Sequence, residues 1–145
     1  MKRRRAKKLG ERLVGAAVMG DVDLVRALLR AGASPGVADA DGTTPLYAAA
    51  VQGAGDVVGC LLEAGADPDV ESGHGAEGTP LCAAACWGHT DVVRALIAAG
   101  ADPNLREDQG TGRSPLEWAV SGPCPETVAM LVSVGAQPDG AVLST

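Results

Sequence analysis

The chain is 145 residues long, 46% apolar and 21% charged, a composition that excludes a disordered segment and admits one continuous core. Phenylalanine is absent and aromatics make up 2% of the chain, so small and branched aliphatics must fill that core, which favours close-packed helices over a sandwich or barrel. Six of the twelve basic residues fall at Lys2, Arg3, Arg4, Arg5, Lys7 and Lys8, so residues 9–145 hold six basic against eighteen acidic residues, a net of −12.

In chain order, residues 1–8 are expected to form a flexible basic tail. Such a tail is either frayed and solvated or an arm for nucleic acid, anionic lipid or the acidic body of the chain. The following LVGAAVMG has the look of a short signal-peptide core, but it aligns with a repeat, and no apolar run reaches the length of a membrane span. Cys60, Cys82, Cys86 and Cys124 do not form a disulfide framework by number or spacing, and reduced thiols in a cytoplasm are expected.

Four copies of one pattern then succeed each other. ERLVGAAVMGDVDLVRALLRAGASPG (11–36) leads to GTTPLYAAAVQGAGDVVGCLLEAGADPD (42–69), then GTPLCAAACWGHTDVVRALIAAGADPN (78–104), then RSPLEWAVSGPCPETVAMLVSVGAQPD (113–139). From Thr44 to Gly65, Thr79 to Gly100 and Ser114 to Gly135 the distance is always 21 residues. From Gly32 to Thr44 it is 12, whereas Gly65 to Thr79 and Gly100 to Ser114 are both 14. A rigid unit alternates with a loop that tolerates insertion, as a packed helix pair and a surface finger should.

Within each unit, Thr44-Pro45, Thr79-Pro80 and Ser114-Pro115 predict a helix start, with an N-cap oxygen before a residue whose missing N–H costs nothing there. Alanines at 49, 50, 84, 85 and 119 predict close approach between neighbouring helices. A second helix carrying Leu28-Leu29, Leu61-Leu62, Leu96-Ile97 or Leu131-Val132 ends at Gly32, Gly65, Gly100 or Gly135.

DGTTPLYAAA (41–50), GHTDVVRALIAAGADPN (88–104) and their copies resemble the ankyrin repeat, whose signature is a period of about 33 residues with T-P-L-H-x-A. The resemblance covers residues 9–139 as repeats of about 9–38, 39–71, 72–106 and 107–139, leaving 140–145 as a C-terminal tail. It implies an all-α, ankyrin-repeat α-solenoid of paired antiparallel helices with projecting β-turn fingers. It further implies a concave groove, and the leading functional expectation is a non-catalytic protein–protein interaction module that takes a partner there. The chain departs from the family pattern where the histidine is replaced by Val14, Tyr47, Cys82 and Glu117, which puts the polar ties between neighbouring loops in doubt. The last outer helix carries Ala129, Met130, Val132 and Val134, apolar for a terminal cap. Cover by the C-terminal tail, by a second copy in a weak homodimer, or by a further portion of a longer protein would each satisfy it.

No catalytic constellation emerges. GASPG (32–36) matches G-x-S-x-G as a string, but Ser34 stands where other copies carry Asp67 or Asp102 in a finger. Cys82, Cys86, His89 and Cys124 have the residue types of a zinc site, yet Cys82 and Cys86 stand in the places of Tyr47 and Val51, so small-hydrophobe packing is expected and neither metal nor cofactor. His89 is expected to bond backbone locally and His74 to be exposed.

The resemblance implies groove residues at the ends of the inner helices and on the fingers. By position these are Met19, Gln52 and Trp87 on the helices, and Asp41, Thr43, Ala76, Thr111 and Arg113 on the fingers. Trp87 and Arg113 are the expected anchors, since these residue types dominate binding hot spots. The alternative for Trp87 is packing over the neighbouring finger and Gly122. Trp118, replacing Ala48 and Ala83, is expected to pack against the core or the end cap. The acidic fingers fit a partner with a basic or polar surface, or serve solubility alone. The second functional reading is a nucleic-acid or anionic-surface adaptor that uses residues 2–8.

Overall fold

The computed structural model describes residues 2–73 and 77–137, and among them nine helices alternate with short loops. The first pair is α1 (Lys2–Met19) and α2 (Val22–Arg30). The second is α3 (Pro45–Gln52) and α4 (Gly55–Glu63), the third α5 (Pro80–Trp87) and α6 (Thr90–Ala98). A short α7 (Glu107–Gly110) precedes the last pair, α8 (Pro115–Ser121) and α9 (Pro125–Ser133). The inner helices stack in the order α1, α3, α5, α8, and the outer helices in the order α2, α4, α6, α9. This is the expected all-α solenoid of antiparallel pairs.

The helix starts form as the sequence dictates. Thr44 and Thr79 accept hydrogen bonds from the N–H groups of Tyr47 and Cys82, each at 3.2 Å, and each precedes a proline at the first helical position. Ser114 goes further and forms a capping box, accepting from Glu117 N–H at 3.2 Å while the Glu117 carboxylate accepts from Ser114 N–H at 3.0 Å. The core is a continuous strip in which Leu13, Leu61, Leu96 and Leu131 are fully buried. Truncating any one of them to alanine would cost about 2–5 kcal/mol. Ala49, Ala50, Ala84 and Ala85 are buried between successive inner helices, where added bulk would force the stack apart.

Two expectations meet a different structure. Residues 2–8, expected as a flexible tail, are the opening turns of α1 and continue the helix that begins the first repeat. Lys, Arg and Ala are good helix formers, and no proline or glycine interrupts the run before Gly10, so nothing in the sequence ends the helix there. His89 does not bond locally: its Nε2 lies 3.1 Å from the carbonyl of Val51, in the preceding repeat. The ring reaches across because Gly53 has no side chain, and a Cβ there would stand 2.7 Å from the imidazole.

The ties that the missing family histidine put in doubt are made by other groups. Thr43 Oγ1 donates to the Glu77 carboxylate at 2.9 Å, and Ser72 Oγ donates to it at 2.8 Å while accepting from Thr44 N–H at 3.0 Å. Asp69 accepts from Asp102 N–H at 3.0 Å, and Asn104 accepts from Gln137 N–H at 2.8 Å. Each finger is thereby fastened to the next. The third finger closes with an antiparallel bridge between Ser72 and Gly78, while α7 puts a helical turn into the fourth.

Among the described residues the C-terminal end is apolar, as the sequence anticipated, and the tail that was one candidate to cover it, from residue 138 on, lies outside the described residues. Ala50 and Ala85 are buried under the next inner helix, but Val120 at the equivalent position is 67% exposed, and Val132 is 54% exposed. Leu116, Val120, Val128 and Val132 line a groove of about 560 Å³ there.

Candidate functional site: the concave face

The inner-helix row ends in side chains that reach solvent. Met19 is 80% exposed and Trp87 60% exposed, large apolar groups that a folded chain would otherwise bury, and Gln52 between them is exposed too. Trp87 stands at the last position of α5, just before Gly88 turns the chain with φ +73°. Beside it, Gly122 approaches so closely that a Cβ would lie 2.7 Å from the Cys86 carbonyl. The two inner helices therefore close up at their C-terminal ends without covering the indole.

At the N-terminal end of this row, Val14, Gly15, Val18 and Met19 line a cavity of about 470 Å³ with finger residues Asp39, Ala40 and Asp41 and with Glu11. The result is an apolar floor with three carboxylates on its rim. Asp41 is exposed at the finger tip, and Thr43 is half-buried because Glu77 holds its hydroxyl. The sequence reading missed Glu11. Its signal was present, since Glu11, Val14, Gly15 and Val18 fall at i, i+3, i+4 and i+7, one face of a helix.

Further along, carboxylates gather beside the inner helices. Glu107 accepts from Trp118 Nε1 at 2.9 Å, and burial raises its carboxyl above the ordinary value. Tyr47 is half-buried, and its hydroxyl is held above its ordinary value by burial first, then by Glu77 and Glu107. Burial also pushes the Cys82 thiol up to about 12, so it remains protonated at neutral pH. Its Sγ lies 3.8 Å from the Arg113 carbonyl, a place for a small apolar group.

The predicted residues do not all fall in one row. Met19, Gln52 and Trp87 are exposed at the ends of successive inner helices, and Asp41 is exposed on a finger. Thr111 is exposed but donates to the Asp108 carbonyl at 2.7 Å, closing the end of α7. The Arg113 guanidinium lies over the Trp118 ring at 4.7 Å and lines the C-terminal apolar groove with Val120 and Val132. Trp118 is packed partly against the core, as expected, and also holds Arg113 and Glu107 through its ring and its N–H. Ala76 lies outside the described residues, as does His74.

Among the described residues, no group of three or more His, Cys, Asp and Glu is arranged to hold a metal ion. Cys124 Sγ donates to Glu126 at 2.8 Å, His89 is engaged with Val51 and Cys82 Sγ with the Arg113 carbonyl, so three of the four residues with zinc-site chemistry are directed to separate partners. Among the described residues, no helix is long and apolar enough to cross a membrane.

Stacked helix pairs and finger loops tied in series define a helical-repeat protein. A family model for ankyrin repeats matches residues 7–72 and 71–140, and the chain belongs to the ankyrin-repeat family. Members of that family are generally non-catalytic protein-interaction modules. No curated protein matches the chain.

Proposed function

We propose that this protein is a non-catalytic interaction module whose concave groove binds a partner protein presenting apolar side chains among basic or polar ones. The observation that carries the reading is Trp87, 60% exposed at the end of an inner helix in the row with Met19 and Gln52. Exposed Trp in a preformed row supports a binding anchor rather than packing, since a buried indole would show little surface. The apolar floor at Val18 and Met19, rimmed by Glu11, Asp39 and Asp41, supports a partner of opposite sign. The fingers are already fastened to one another, so association orders little of this chain.

Four thiols without disulfide bonds support a reducing, cytoplasmic setting. The exposed Val120 and Val132 support weak self-association of the monomer through its last repeat. A photo-crosslinking residue placed at Gln52 in the groove, or at Glu63 on the outer helix, tests the reading in lysate of the native host. The expected outcome is a discrete adduct from position 52 that position 63 does not give. The same adduct from both positions, or from position 63 alone, would place binding elsewhere.

A further inference from the structure

The opening turns of α1 form a cationic face that the concave groove does not use. Arg4, Arg5, Lys8 and Arg12 fall at i, i+1, i+4 and i+8, and they share one side of the helix over about 12 Å. With Leu9 and Ala31 they line a cavity of about 910 Å³. Among the described residues, no carboxylate lies within ion-pair distance of these four cations; the ion pairs formed are Arg26–Asp23, Arg94–Asp91 and Arg106–Glu117. Glu11, the only acidic residue of α1, lines the concave pocket beside Met19.

We infer that this face is a second binding surface, and that it takes a short acidic protein segment carrying an apolar residue between its carboxylates. Three arginines supply planar forks that match carboxylates in a bidentate manner. Leu9 and Ala31 between them offer an apolar contact that a phosphate backbone cannot use. The three aromatic rings, Tyr47, Trp87 and Trp118, lie in later repeats, so no stacking platform for nucleobases stands beside the cations. Residues 9–145 carry a net charge of −12, so a long polyanion extending past the patch meets like charge, whereas a segment confined to it does not. An anionic membrane is disfavoured because residues 3–8 expose no large apolar side chain to insert.

The test uses the full chain and a fluorescein-labelled peptide, Glu-Glu-Leu-Glu-Asp-Leu-Glu-Glu, followed by fluorescence anisotropy at 50 and 300 mM NaCl. The inference requires saturable binding at 50 mM that weakens about tenfold at 300 mM as the charges are screened. Arg4→Glu/Arg5→Glu/Lys8→Glu should lose at least tenfold in affinity, and so should Arg12→Glu made separately, while Arg94→Glu on α6 should bind as the wild type does. A peptide with both leucines replaced by glutamine should bind at least fivefold more weakly. Trp87→Ala should leave all of this intact, which separates the surface from the groove. Tighter binding of a 12-base-pair DNA duplex, or of vesicles containing phosphatidylserine, would overturn the inference in favour of those ligands. Equal binding of the glutamine peptide, or undiminished binding by the charge-reversed variants, would overturn it outright.

Discussion

Between the last two outer helices, Thr90 Oγ1 and Thr127 Oγ1 are 2.8 Å apart, and no carbon chemistry can replace that contact in one step. Thr127 is fully buried, whereas Thr90 is half-buried at the start of α6. The two single substitutions are therefore unequal. Thr90→Val leaves the Thr127 hydroxyl in an apolar interior with no partner, and an orphaned buried hydroxyl costs about 1–3 kcal/mol. Thr127→Val leaves Thr90, which water still reaches, so the cost falls to about 0.5–1.5 kcal/mol, the net value of an ordinary hydrogen bond. The double substitution Thr90→Val/Thr127→Val removes both polar groups and buries two more methyls, so it should be more stable than Thr90→Val alone. Urea unfolding of the four proteins, with equal m-values as the check on two-state behaviour, reads the coupling. At about 3 °C per kcal/mol for a chain of this size, Thr90→Val should melt roughly 3–9 °C below the wild type. Equal costs for the two single variants, or additive costs in the double, would refute the reasoning.

Gly53→Ala should destabilise by about 2–4 kcal/mol, because φ is +70° there and the new methyl would displace His89 from its bond to Val51; urea denaturation reads the loss, and a neutral result would deny the tie between repeats. Cys82 should resist iodoacetamide at pH 8 in the folded protein while Cys60, Cys86 and Cys124 are alkylated, as mass spectrometry of the digest would show; early labelling of Cys82 would contradict its burial. Two carboxyls should bend the stability curve in opposite senses. Glu117 is held below the usual carboxylate range by Ser114 N–H and by Arg106, so its contribution is present above about pH 4.5 and is lost as pH falls through its lowered value. Glu107 is raised by burial, so its contribution is full below about pH 4.5 and is lost as pH rises through its raised value. Urea midpoints between pH 3 and 7 should therefore show Glu107→Gln gaining on the wild type as pH rises and Glu117→Gln falling behind it, and parallel curves would deny both assignments.

The repeat architecture was legible because it rests on local chemistry that recurs along the chain, complete in three copies and degenerate in the first. A hydroxyl before a proline, a run of alanines and a glycine at constant spacing each have one physical role, and the structure uses each in it. The exposed Trp87 and Met19 followed from register alone. What was not legible depended on contacts across repeats. His89 reaches Val51 only because Gly53 leaves the space, and neither residue signals that alone. Arg113 was assigned to the groove by its finger position, but the ring of Trp118, the fourth residue of α8, draws it to the C-terminal end. The basic start has the terminal position and charge of a frayed, solvated arm. In the structure it forms the helix that the residue types favour.

The most direct test of the concave groove is a quantitative capture from native host lysate with wild-type protein, Trp87→Ala and Arg26→Ala, after melting curves show all three folded. Trp87 is exposed at the inner row and Arg26 on an outer helix, so neither change should disturb the core. The account predicts one partner held by the wild type and by Arg26→Ala and lost from Trp87→Ala, a loss of about 2 kcal/mol or more in affinity. Equal capture by Trp87→Ala and the wild type would contradict it.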